Sequence, residues 1–264
     1  MEFLRKDRSF FISICKKNAR HLTTRIKPSY LIQFILLYSM TYYGVTNIGK
    51  VRKNNEDAFI AKTIWNDTHL LCAAIDGIGG NYGGDIAAEV TRDTIISHLI
   101  DFPVWDLSEC LQQTAIEANN NVVYYQRAMP KYRGMGCVMS VGIINIKDKS
   151  LHFAHIGDTR IYTLQDGQLN RLTQDDAQGQ TVTNYIGKRP ILPNSLLCEA
   201  RGVQLKADTT LLFCSDGLWK MIDEKEITDI LSLQLSSEDV CNRLISKANE
   251  KGGKDNITAV VVKL

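Results

Sequence analysis

Leu70-Leu71-Cys72-Ala73-Ala74-Ile75-Asp76-Gly77-Ile78-Gly79-Gly80 opens with six apolar residues and closes on an acid followed by three glycines within four positions. The apolar run has the character of a buried strand. A carboxylate at the end of such a strand, with backbone free to approach it, suits a cation. A tight turn that merely begins with Asp has the same local pattern. The pattern recurs, because Leu211-Leu212-Phe213-Cys214-Ser215 runs into Asp216-Gly217. Two buried strands that both end in Asp-Gly direct attention to other acids at strand ends.

Outward from this stretch the chain alternates strands and helices. Residues 57–64 and 69–75 read as strands joined by a turn at Trp65-Asn66-Asp67. Residues 85–100 place Ile86, Val90, Ile95, Ile96 and Leu99 on one helical face. Ser108 is the expected N-cap of a second helix, with Leu111, Ala115, Ala118 and Val122 along one side. Strands are expected over 137–146, 151–156, 160–164 and 168–172, the last two joined by the hairpin signal Asp166-Gly167. Another strand follows at 211–215, then helices over 224–233 and 237–249, and a final strand over 257–262. Strands grouped apart from helices indicate an α+β domain built on antiparallel sheets. No repeat or linker interrupts residues 41–264, which read as one domain.

Composition sets the outer bounds. The 264 residues are 44% hydrophobic and 23% charged, as in ordinary globular proteins. The formal charge of +2 is unevenly spread: residues 1–40 carry +6 and the other 224 carry −4. A mildly acidic body argues against nucleic acid as the main ligand. The basic segment 1–40 ends in an apolar run from Tyr30 to Met40, too short to span a bilayer as a helix. Its expected reading is a non-native or poorly ordered extension with translation starting at Met40, rather than a membrane-contacting segment. The seven cysteines are dispersed without zinc or disulfide spacing, which points to a reducing cytoplasm.

Five acids stand at predicted strand ends or in adjacent turns: Glu56, Asp57, Asp76, Asp216 and Asp255. If they converge, each pair of charges about 5 Å apart repels by roughly 3 kcal/mol at an effective dielectric of 20. Several such pairs rival a domain's whole stability, ~5–15 kcal/mol, so the group must bind cations or hold protons. Oxygen ligands without His or Cys select hard ions such as Mg²⁺ or Mn²⁺. Two such ions would share a bridging water and make it a nucleophile. Spacing alone leaves open that the acids are unrelated turn residues.

Six motifs occur in one order: Arg52-Lys53-Asn54-Asn55-Glu56-Asp57, Asp76-Gly77-Ile78-Gly79-Gly80, Gly134-Met135-Gly136, Gly157-Asp158-Thr159-Arg160, Ser215-Asp216-Gly217-Leu218 and Asp255-Asn256-Ile257-Thr258. In this the chain resembles the metal-dependent Ser/Thr protein phosphatases, the PPM or type 2C family, in their bacterial form. The resemblance runs from about Thr46 to Val262. It implies an αββα sandwich, two antiparallel sheets flanked by helices, with two Mn²⁺ or Mg²⁺ ions at one end of the sheets. Asp57, Asp76 and Asp216 would bind the ions, Asp76 bridging, with Asp255 and the Gly77 carbonyl completing the set. Asp158 matches the acid used for a third, weaker ion; its other reading is a cap on the turn between two strands. Glu56 would hold a metal-bound water, and Arg52 would grip the substrate phosphate, a role its forked guanidinium suits. Hydrolysis of phosphoserine or phosphothreonine would proceed by direct attack of a metal-bridging hydroxide, so Cys72 and Cys214 are not expected to be nucleophiles.

Departures from the family pattern qualify this picture. Ile78 stands where some eukaryotic members carry a His proposed as general acid. Cys137 stands where Thr is usual, and Asp176 replaces His in Leu172-Thr173-Gln174-Asp175-Asp176. Six residues separate Asp176 from Thr183-Asn184-Tyr185-Ile186-Gly187, so the flap is expected to be shortened or missing, the site more open, and turnover slower or less selective. Expected partners are phosphorylated Ser/Thr proteins and a partner kinase, with the chain acting as a monomer. Two other readings stand beside this one: a non-catalytic phosphoprotein-binding module of this fold, which the intact acids oppose, and a hydrolase of small phosphate esters, which only the family resemblance opposes.

Overall fold

Alternation along one strand serves two cores. Leu71, Ala73 and Ile75 face helices, while Leu70, Cys72, Ala74 and then Asp76 point the opposite way, toward a second sheet. The computed structural model describes residues 40–78, 83–100, 106–179, 181–190, 198 and 200–264. The basic segment before Met40 and the pair Gly79-Gly80 lie outside the described residues, as do the expectations attached to them.

Residues Met40–Leu264 form one compact unit. Its strands are β1 (Thr41–Asn47), β2 (Asp57–Ile64), β3 (His69–Ile78), β4 (Gly136–Asn145), β5 (Ser150–Ile156), β6 (Arg160–Gln165), β7 (Gln168–Arg171), β8 (Ala177–Gln178), β9 (Thr181–Val182), β10 (Ala200–Gln204), β11 (Thr210–Cys214) and β12 (Ile257–Lys263). The helices are α1 (Gly84–Ile100), α2 (Leu107–Ala128), α3 (Asp216–Trp219), α4 (Glu224–Leu231) and α5 (Ser237–Glu250). Two five-stranded antiparallel sheets have the orders β10-β5-β4-β3-β2 and β1-β12-β11-β6-β7. The first carries α1 and α2 on Leu71, Ala73, Ile75, Met139 and Val141; the second carries α4 and α5 on Leu212, Cys214, Ala259 and Val261. The remaining faces meet each other. A Cβ on Gly44 would lie 2.5 Å from the Phe59 ring, and one on Gly142 would lie 2.9 Å from that of Phe213. The four layers are the αββα sandwich that the motifs implied.

Fully buried Leu70, Leu71 and Ile75 each stabilise the fold by about 1.5–3 kcal/mol, which is why β3 can carry an acid at its end. The turn at 65–67 puts three consecutive residues at positive φ (52°, 54° and 59°). Asn66 and Asp67 tolerate this region; Trp65 is held there by its indole N–H, which donates to the Leu99 carbonyl at 2.7 Å.

One local expectation needs correction, and another holds with its centre shifted. The N-cap of α2 is Asp106, not Ser108: the Asp106 carboxylate accepts from the N–H groups of Ser108 (2.9 Å) and Glu109 (3.1 Å). A carboxylate two residues earlier caps more strongly than a hydroxyl because it also complements the helix dipole. On α1 the buried face centres on Ala87, Ala88, Thr91, Ile95 and Leu99, while Ile86, Val90 and Ile96 only flank it. Small residues mark where the helix comes closest to the sheet.

Candidate active site

Both sheets end at one cleft of about 210 Å³, lined by Arg52, Glu56, Asp76, Gly77, Asp158, Asp216, Lys220 and Asp255 among others. The first sheet supplies Asp57 and Asp76, direct partners across the β2–β3 ladder. The second supplies Asp216, at the first turn after β11, and Asp255, two residues before β12. The chain therefore brings together acids up to two hundred residues apart because each terminates a buried strand at the same end of the sandwich.

Asp57 is the most enclosed of them. One carboxylate oxygen, Oδ2, accepts from Ser215 Oγ and Thr258 Oγ1, both at 2.7 Å. The other, Oδ1, is buried without a hydrogen-bond partner. Burial, with the charges of Asp216 and Asp255 and against the two hydroxyls that hold it down, brings the Asp57 pKa up to about 7. Asp76 shows partly at the cleft floor, yet the protein packed around it and the neighbouring Asp57 raise its pKa well above the carboxylate range. Glu56 is shifted upward chiefly by burial, with Arg52 pulling the other way.

The backbone here is built for close approach. A Cβ on Gly77 would lie 2.3 Å from the Gly84 carbonyl oxygen and 2.6 Å from that of Glu56, so no side chain fits. Gly77 N–H donates to the Glu56 carbonyl at 3.0 Å, pinning β3 to the loop that carries Arg52 and Glu56. A Cβ on Gly217 would lie 2.0 Å from the Asn256 carbonyl oxygen. These contacts give the Asp-Gly pairs a reason that the strand-ending pattern alone did not contain.

The two cations engage acids. Arg52 Nη2 donates to Asp255 Oδ2 at 2.8 Å, and Lys220 Nζ lies 2.5 Å from Asp216 Oδ2 and 3.6 Å from Asp158 Oδ2. Among the described residues no three acids, histidines or cysteines are already drawn together as a chelate. Bare carboxylates repel, and here they turn toward the nearest cations instead. The donor set nonetheless fits hard divalent ions: it is all oxygen, and the orphaned Asp57 Oδ1 needs a partner.

Several residues of this site carried motif positions without any assigned role. Asn256, 3% exposed, accepts from Glu56 N–H at 2.8 Å through Oδ1 and donates through Nδ2 to the carbonyls of Ile48 and Asn54, both at 2.9 Å. It ties the Arg52 loop to the Asp255 turn. Ser215 and Thr258 orient Asp57. Lys220, three residues after Gly217, has no counterpart in the sequence reading; only its i,i+4 spacing from Asp216 could have pointed to it.

Asp176, in the place expected for His, accepts from Gly157 N–H at 3.1 Å and from Asn184 Nδ2 at 3.2 Å. It anchors the turn that bears Asp158. The segment expected to be a shortened flap is the small hairpin β8–β9, and Val182 at its end lines the cleft. Cys72, Cys137 and Cys214 are unpaired and fully buried, and burial raises each thiol pKa, as suits packing groups. A larger cavity of about 420 Å³, bordered by Leu172, Asp176, Cys198 and Arg201, shares no described lining residue with the cleft and gathers no comparable set of acids. Among the described residues, no helix is long and apolar enough to cross a membrane.

Comparison with known proteins agrees with the geometry. Residues 49–260 match the family model described as protein phosphatase 2C. The serine/threonine phosphatase stp of Listeria monocytogenes is 30% identical over 82% of this chain and 93% of its own. The structure of the Mycobacterium tuberculosis serine/threonine phosphatase PstP/Ppp superimposes with a TM-score of 0.75 at 26% identity, covering 85% of this chain and 98% of that one. The catalytic domain of PstP in complex with two manganese ions gives a TM-score of 0.74 at 26% identity, covering 85% of this chain and 97% of that one.

Proposed function

The chain belongs to the protein phosphatase 2C family and is a metal-dependent serine/threonine protein phosphatase, and from this premise we propose how its own residues divide the work. Asp57, Asp76, Asp216 and Asp255, with the Gly77 carbonyl, would hold two divalent ions. The observation that carries this assignment is the orphaned oxygen of Asp57, buried beside Asp76 and lacking any protein donor. Ions bound there supply Lewis acidity and lower the pKa of a coordinated water.

The remaining steps fall to side chains. Arg52 orients the phosphoryl group: one of its five N–H donors is committed to Asp255, and the guanidinium itself lines the cleft. Glu56, at the cleft wall against Gly84, accepts a hydrogen bond from water and directs it toward phosphorus. Ile78 lines the cleft and has no proton to give, so the departing serine or threonine oxygen takes its proton from water or from another residue. A cleft that meets the short β8–β9 hairpin, among the described residues, at Val182 admits folded phosphoproteins with modest selectivity. A serine/threonine kinase that phosphorylates the same proteins, or is itself a substrate, is the partner this activity calls for.

The test is phosphate release from a phosphothreonine peptide and from p-nitrophenyl phosphate, each with Mn²⁺ and with EDTA. Mn²⁺-dependent release from the peptide is expected. Turnover of the small ester alone would favour the small-ester hydrolase, and release from neither would favour a binding module.

A further inference from the structure

Lys220 caps the C-terminus of α3, and its ammonium sits between two acids with different assignments. It lies 2.5 Å from Asp216 Oδ2, in the proposed ion pair, and 3.6 Å from Asp158 Oδ2, the candidate for a third ion. This placement is braced from beneath. The Trp219 indole N–H donates to the Asp158 carbonyl at 3.0 Å, Lys220 Nζ is 5.1 Å from the Trp219 ring, and the Arg160 guanidinium stacks on that ring at 3.4 Å. Arg160 is itself clamped by both carboxylate oxygens of Asp175, at 3.0 and 2.7 Å. Asp158 and Lys220 are therefore held in register by one aromatic side chain.

Formal charge gives the placement a consequence. Without substrate, the cleft acids Glu56, Asp76, Asp158, Asp216 and Asp255, with Asp57 beneath them, oppose Arg52 and Lys220, which leaves a formal charge that two divalent ions neutralise. When Asp216 turns to an ion, Asp158 is the acid left to Lys220.

We infer that Lys220 is a resident substitute for a third divalent ion, its ammonium occupying Asp158 so that the cleft takes two ions and no more. This rests on the two-ion reading above. The experiment titrates Mn²⁺ into the metal-free full-length chain, counting bound Mn²⁺ by electron paramagnetic resonance and reading affinities by calorimetry. Wild type is expected to bind two ions per chain. Lys220→Met is expected to bind three, the added ion at least tenfold more weakly, and Lys220→Met/Asp158→Asn to return to two. The Lys220 side chain is 45% exposed, so folding should survive; Lys220→Gln, checked by thermal melting, is the second variant and should also bind three. Three ions on wild type, or an unchanged count in both single variants, overturns the inference. No ion on wild type instead overturns the two-ion reading on which it stands.

Discussion

Asp57 and Asp76 face each other directly across the β2–β3 ladder, two carboxylates in the one cross-strand position where like charges are least tolerated. A hydroxyl pair supports Asp57 from below, yet one of its oxygens stays unpartnered, so the strands hold a pair of like charges that a cation would relieve. On the proposed two-ion assignment, stability and function oppose each other at this position.

Asp76→Asn should therefore stabilise the metal-free protein. At pH 8 in EDTA the gain is expected to be about 1–3 kcal/mol, the order of one like-charge contact at an effective dielectric of 20, and a rise of a few degrees in melting temperature. The same variant should lose most of the melting shift that Mn²⁺ gives wild type. A lower melting temperature in EDTA contradicts the account.

Ser215→Ala and Thr258→Val each delete one hydroxyl that orients Asp57. Each loss should weaken Mn²⁺ binding by about 10–100-fold, as expected for groups that position a ligand. Calorimetric titration of the two variants checks this, and unchanged affinity in both would separate Asp57 from the ion site.

Asn256→Ala removes three hydrogen bonds joining residues 48–56 to the Asp255 turn. With buried backbone groups left unpaired, destabilisation of about 2–4 kcal/mol is expected. Amide hydrogen exchange should rise at Glu56 and around residues 48–54 well before it rises in β3. Uniform acceleration across both sheets would instead make Asn256 a general core residue.

The shape of these predictions reflects which parts of the site were legible in one dimension. Asp76 and Asp216 stood out because an apolar run followed by Asp-Gly is a local pattern, and the fold class followed from the grouping of such runs. Ser215, Thr258 and Asn256 lay inside quoted motifs, but their roles depend on partners 158, 201 and 200 residues away. No periodicity reports such contacts. Strand β1 carries no period-2 signal, because all seven of its residues are only half-buried and show no alternation. Ser108 has a hydroxyl at a spacing that suits a cap, but Asp106 takes the N–H groups of Ser108 and Glu109.

His155 should set part of the acid sensitivity. Burial lowers its pKa below the ordinary 6.5, Nδ1 pairs with Ser140 Oγ at 3.0 Å, and Nε2 is buried without a partner. The unfolded chain then takes up a proton before the folded one does. Stability is full above pH 6.5 and falls as the pH drops from there through the lower folded value. Melting temperature against pH should fall less steeply in His155→Gln over that window. Identical slopes would remove His155 from the acid response.

Restoring a long flap between Asp176 and Thr183 should narrow the range of phosphopeptides turned over, because Val182 now borders the cleft alone among hairpin residues described. Relative kcat/KM across a peptide panel measures this. An unchanged ranking would mean that the short hairpin does not govern selectivity.

The most direct measurement compares wild type and Asp76→Asn for Mn²⁺-dependent release of phosphate from a phosphothreonine peptide. The account predicts robust release by wild type, abolished by EDTA, and at least a hundredfold less by the variant, about 2.7 kcal/mol of transition-state stabilisation. Equal rates from the two proteins, or wild-type release that survives EDTA, would contradict it.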